Sequence, residues 1–107
     1  MSFISCVMNL DLPLRALDNA HRRAVLTAMR DPRKNFPPID GVDPQEHGVC
    51  VAQISEFLGV NQSTASTYMR LLYDADLVST ERVGRYTRYK RNEKTISAVA
   101  AAITNQL

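Results

Sequence analysis

Apolar positions along this chain recur first at helical spacing, then in alternation, then at helical spacing again. Residues 1–17 are rich in apolar side chains, but Pro13 denies them one unbroken helix unless it lies in a first turn. Two short helical pieces are predicted there. Val25, Leu26 and Met29 predict a second helix over about 20–30, with Asp18 or Asn19 as its cap and Asp31-Pro32 as its end. Residues 31–49 hold four prolines and two glycines and show neither period, so they read as a long surface loop. Val51, Ile54 and Leu58 then fall at i, i+3 and i+7. After Gly59-Val60-Asn61, a further helix over about 62–73 carries Ala65, Met69 and Leu72 on one stripe. From Leu77 the residues alternate on either side of Gly84-Arg85, which predicts a two-stranded hairpin over 77–91. Ile96, Val99, Ile103 and Leu107 return to helical spacing over 93–107.

The implied architecture is mainly α with a small β-hairpin, five or so helices in a single domain over 1–107. Residues 50–73 form a helix-turn-helix within it. Gly59 suits the left-handed exit from the first helix, Val60 can turn inward, and Asn61 can accept from the free amides of the next helix. The second helix presents Gln62, Ser63, Ser66 and Thr67 opposite its apolar stripe, with Thr64 and Arg70 alongside. Small polar side chains permit close approach to base edges in a major groove, and Gln62 can pair with adenine or guanine. A solvated polar face would look the same taken alone.

Charge decides between these readings. The net charge of +2 argues for no partner, but its distribution does. Asp40, Asp43, Glu46 and Glu56 lie in a stretch without Lys or Arg, whereas residues 82–94 hold six cations against Glu93 alone. Arg82, Arg85, Arg88, Lys90 and Arg91 straddle the Gly84 turn, where they could reach phosphates on either side of a groove. A reading helix followed by a basic wing points to double-stranded DNA as partner. A winged-helix module that binds protein instead is the main alternative.

Other classes find little support. The only histidines are His21 and His47, and no phosphate loop or nucleophile motif occurs, so catalysis is not expected. No apolar run approaches the roughly 20 residues of a membrane span, and the first residues lack a signal-peptide pattern, so a cytoplasmic protein is expected. Cys6 and Cys50 are too few and too far apart for a disulfide scaffold.

The segment from residue 50 to 92 resembles the ArsR family of winged-helix repressors. The marks are LGVNQSTAS, a helix ending in LL, then LV, and a wing with RVGR and a following Tyr. RALDNAHRRAVL at residues 15–26 is similar to that family's second helix and its preceding turn. The resemblance implies a homodimer joined through the first and last helices, binding a palindromic operator. Val7, Ile96, Val99, Ile103 and Leu107 are the expected interface. Departures concern sensing. Where family metal sensors carry two cysteines one residue apart, this chain reads Cys50-Val51-Ala52, and residues 93–107 offer neither His nor Cys. No metal or cofactor is therefore expected. The residues left to hold a thiophilic ion are Cys6, Glu46, His47 and Cys50, and a redox bond between Cys6 and Cys50 is the other use of the thiols. Asp76 stands where the family usually has glycine, and Glu81 where its wing is often basic.

Overall fold

The computed structural model describes residues 8–107. Within them the first helix is α1 (Asp11–Leu17), with Pro13 in its first turn, where a missing N–H leaves no bond unmade. Helix α2 (Ala20–Ala28) follows at once. Of its two candidate caps the structure uses Asn19, whose side chain accepts from the Arg22 amide at 3.0 Å.

Residues 31–49 are not the open surface loop that their prolines and glycines predict. They contain α3 (Pro32–Asn35), a bridge between Ile39 and Val42, α4 (Pro44–His47) and the start of β1 (Val49–Cys50). Each helix is a single turn begun by proline, too short to register as a period. Tertiary bonds hold the segment in place. Asn35 Nδ2 donates to the Ala28 carbonyl at 3.0 Å, and Arg33 grips Asp43 through two bonds of 2.7 and 3.1 Å. That guanidinium keeps the Asp43 carboxyl below its ordinary range. Phe36, Pro44 and Val49 sink into the interior.

Helices α5 (Val51–Leu58) and α6 (Gln62–Asp74) come next, then strands β2 (Val78–Val83) and β3 (Tyr86–Arg91), and finally α7 (Glu93–Gln106). The described residues thus hold seven helices, five of them seven residues or longer. The predicted hairpin has gained a third strand. The antiparallel order is β1-β3-β2, with Val49 opposite Tyr89 and Cys50 opposite Arg88 on one side of β3, and Val78–Val83 opposite Arg91–Tyr86 on the other. Gly48 permits this. At φ +84° and ψ −171° it occupies backbone space open almost only to glycine, and a Cβ there would lie 2.3 Å from the Tyr89 carbonyl oxygen. Asp76 takes φ +61° between α6 and β2, and its carboxylate accepts from the Thr95 hydroxyl at 2.7 Å.

The core gathers Val25, Phe36, Val49, Ile54, Ala65, Met69, Leu72 and Val78, with Val99 of α7 inside it. The expected interface stripe on α7 is therefore divided. Val99 is only 3% exposed and belongs to the chain's own core, because α7 needs an anchor on the body before it can offer a face outward. Ile96 packs partly against the same core. Ile103 and Leu107 remain exposed, as do Leu12 and Leu14 of α1. Val7 lies outside the described residues. Gln106 meets the backbone of Met8 through bonds of 3.0 and 3.2 Å, which draws the end of α7 to the segment before α1. The radius of gyration is 14.8 Å, above the roughly 13 Å of a compact domain of this size. No helix among the described residues is long and apolar enough to cross a membrane.

Candidate nucleic-acid interface

The turn between α5 and α6 follows from three residues. Gly59 ends α5 at φ +70°, ψ +31°, with its amide bonded to the Ser55 carbonyl at 2.9 Å. Val60 packs partly against the core. Asn61 then caps α6, its side chain accepting from the Thr64 amide at 2.8 Å.

Helix α6 buries Ala65, Met69 and Leu72 completely, which fixes its rotation about its own axis. Gln62, Ser63, Ser66, Thr67 and Arg70 are consequently exposed, while Thr64 is half-buried beside the cap. The Thr67 hydroxyl donates to the Ser63 carbonyl at 3.1 Å. Its oxygen is left as an acceptor, suited to a base amino group or a bridging water.

A lateral anchor holds the same helix. Tyr68 Oη lies 3.3 Å from His21 Nδ1, and the Arg22 guanidinium stands 5.6 Å from the Tyr68 ring centroid. Arg22 is itself buried and donates to the carbonyls of Ala16 and Arg15 at 2.7 and 3.1 Å. The sequence pattern does not join His21 to Tyr68, which lies off the polar face of α6. The His-Arg-Arg run at the start of α2 was the one available signal.

The wing cations divide into two groups. Arg82 and Arg85 flank Gly84 at the exposed tip, with no carboxylate partner among the described residues. Arg82 donates to the Thr87 hydroxyl at 3.4 Å, and the Arg85 guanidinium sits 5.8 Å from the Tyr86 ring centroid. Lys90 is exposed, but its Nζ donates to the Glu46 carbonyl at 2.9 Å.

Arg88, expected among the phosphate contacts, is 0% exposed. The expectation is corrected by what lies over that face of β3: the segment leading into β1, through Ile39 and Gly48, and Gln53 of α5 enclose the guanidinium. Inside, its guanidinium donates to the Gly48 and Ile39 carbonyls at 3.1 and 3.2 Å, with Gln53 Oε1 at 3.5 Å and Nε unpartnered. No described carboxylate neutralises it. It ties β3 to the segment before β1 and cannot reach DNA from there.

Glu81, the acidic departure on β2, accepts from or pairs with His47 Nδ1 at 3.0 Å and so links the wing to α4. Arg91 chelates Glu93 through three bonds of 2.9 to 3.1 Å and donates to the Leu26 carbonyl at 2.9 Å. These bonds hold the Glu93 carboxyl below its ordinary range.

The residues considered for a thiophilic ion do not come together. Cys50 is 1% exposed and its amide donates to Gln53 Oε1, whereas His47 turns to Glu81 at the surface. No three His, Cys, Asp or Glu side chains among the described residues converge as a metal would need. Cys6 lies outside the described residues, and the proposed Cys6–Cys50 bond with it.

Comparison with known proteins bears on this arrangement. Residues 46–80, from α4 to β2, match the family described as bacterial regulatory protein, arsR family. The chain is 40% identical over 93 residues to the uncharacterized HTH-type transcriptional regulator YbzH of Bacillus subtilis, spanning 87% of this chain and 93% of that one. Among solved structures, an ArsR family transcriptional regulator superposes with a TM-score of 0.67 at 17% identity, covering 94% of this chain and 91% of that one. A possible transcriptional regulatory protein fragment from Mycobacterium bovis gives 0.60 at 23% identity, with 89% and 90% covered.

Proposed function

From the premise that the chain belongs to the ArsR family, and is a transcriptional regulator with a DNA-binding helix-turn-helix rather than an enzyme, we propose that it is a cytoplasmic repressor binding a palindromic operator as a homodimer. The observation that carries this reading is the fixed rotation of α6. Its buried stripe commits Gln62, Ser63, Ser66, Thr67 and Arg70 to the outside, and the wing that follows carries Arg82 and Arg85 at its tip. The helix reads bases and the wing tip holds phosphates.

Dimerisation is supported by what α1 and α7 leave uncovered. Leu12, Leu14, Ile103 and Leu107 are exposed on the two terminal helices, and the Met8–Gln106 bonds bring those ends of the chain together. Such apolar area has little reason to stay wet in a regulator whose operator is itself two-fold. Repression is what the resemblance to ArsR repressors implies. Operator binding requires neither of the family's metal sites, since Ala52 replaces the second cysteine and α7 carries no His or Cys.

Selection of bound sequences from a random duplex pool, followed by salt titration on the winner, tests the reading. The expected outcome is a palindrome bound with a log–log salt slope of about −0.9 per phosphate neutralised. Arg85→Ala should weaken binding to all duplexes alike, whereas Gln62→Ala and Ser66→Ala should change which palindrome wins. Absence of binding at low salt, or unchanged preference in both α6 variants, would overturn it.

A further inference from the structure

A cleft of about 320 Å³ opens at the root of the wing, between the end of α2, the proline-started turns α3 and α4, and the last residues of β3. None of the reading-helix residues and neither wing-tip arginine lines it. Met29 and Val49 lie almost wholly buried beneath it, while Arg30, Lys90 and Arg91 contribute three cations against one acid, Glu93. Arg91 already chelates that acid. Among the described residues the Lys90 ammonium donates to an uncharged carbonyl, that of Glu46, and neither it nor Arg30 has an ion-pair partner. Arg30 acts on the Glu93 carboxylate through space as well, so three cations face one acid and a net positive charge of two remains around a concave site. The Tyr89 phenol adds a donor, and its partial burial pushes its pKa further up.

From this juxtaposition we propose that the cleft is an effector site for a small organic anion, a carboxylate or a phosphate monoester. Its head would lie between Arg30 and Lys90 with the Tyr89 hydroxyl donating to it, and its small apolar body would lie over the end of α2 at Met29. The volume sits at the lower end for metabolite sites. The regulatory part of the proposal rests on the DNA-binding reading above; occupancy of the site does not.

The position of the cleft supplies the coupling. Tyr89, Lys90 and Arg91 belong to β3, the strand shared by the wing and β1, while Glu93 opens α7. An anion drawn to Arg30 and Lys90 competes with Glu93 for the Arg91 guanidinium, which also holds the Leu26 carbonyl of α2. The ligand would thus bind differently to the two settings of the wing root, the condition for shifting DNA affinity.

Benzoate and inorganic phosphate, titrated separately into DNA-free protein with amide shifts as the readout, provide the test. At least one should give saturable shifts centred on Gly48, Val49 and Tyr89–Arg91, with Arg30→Gln and Tyr89→Phe each weakening affinity severalfold or more. Arg30 is exposed, so its variant should keep the wild-type spectrum elsewhere. Benzoate alone identifies a carboxylate site, phosphate alone a phosphate ester site. Saturable shifts with neither probe, or shifts that survive Arg30→Gln, overturn the proposal. So does a pattern in which neither anion binds but Arg30→Gln lowers the salt slope on duplex by about one, which would make Arg30 a DNA contact instead.

Discussion

Replacing Gly48 by alanine should unfold the wing root out of proportion to the size of a methyl group. Two costs add. An L-residue at φ +84°, ψ −171° is strained by about 1 to 3 kcal/mol. The new Cβ, 2.3 Å from the Tyr89 carbonyl oxygen and 2.8 Å from that residue's carbonyl carbon, faces backbone that cannot swing aside. Relief requires β1 to part from β3, and each ladder bond lost costs a further 0.5 to 1.5 kcal/mol, roughly. A total near 4 kcal/mol is expected, a large share of the roughly 5 to 15 kcal/mol that holds a domain together. At about 4 to 8 °C per kcal/mol for a small domain, Tm should fall by roughly 15 °C or more. Thermal unfolding followed by circular dichroism at one fixed protein concentration measures it, the fixed concentration removing any contribution from association. Gly41→Ala is the control: Gly41 has φ +67° but nothing within 4 Å of the built Cβ, so only the left-handed penalty of about 1 to 2 kcal/mol applies. A Gly48→Ala shift no larger than that of Gly41→Ala would refute the overlap argument.

Arg88→Ala should cost roughly 3 kcal/mol or more, since it orphans the Gly48 and Ile39 carbonyls and leaves a void. Measured below its Tm, however, the variant should keep the wild-type salt slope on duplex DNA, and a slope reduced by one would return Arg88 to the phosphate contacts. The Glu93 carboxyl, lowered chiefly by its bond to Arg91, stabilises the folded chain above the ordinary glutamate value of about 4.3 and loses that contribution as pH falls below it. The Tm gap between wild type and Glu93→Gln should therefore be small at neutral pH, worth about 0.5 kcal/mol for so exposed a pair, and close on acidification; a gap that widens in acid contradicts the assignment.

The reading helix was legible in the sequence because its determinants are local. Gly59, Asn61 and the stripe of Ala65, Met69 and Leu72 each act within a turn or two of their own position. The hairpin was legible for the same reason, as alternation around Gly84 needs no distant partner. The segment over 31–49 was not, since α3 and α4 are single turns held by Asn35 on Ala28, Arg33 on Asp43 and Arg88 on Ile39. None of those pairings leaves a periodic trace. The misplacement of Arg88 shares this origin: in the run YTRYKR its charge looks equivalent to its neighbours, and only its long-range contacts with Ile39, Gly48 and Gln53 distinguish the covered face. Val99 was likewise one apolar residue in a stripe until the core claimed it.

The third strand also sets the mechanical character of the wing. β1 braces β3 at Arg88 and Tyr89, and the His47–Glu81 pair braces β2 at the same level, so only residues 82–87 project beyond the support. At about 3.3 Å per residue, that is a lever of roughly 10 Å on a stiff base. Arg85 sits at its end. On the proposed DNA-binding reading, a phosphate held by Arg85 would stand at a set number of base pairs from the bases under Gln62 and Ser66. In a half-site of the proposed operator, the wing would then measure spacing as with a ruler, and one inserted base pair between those points should be felt as sharply as a wrong base.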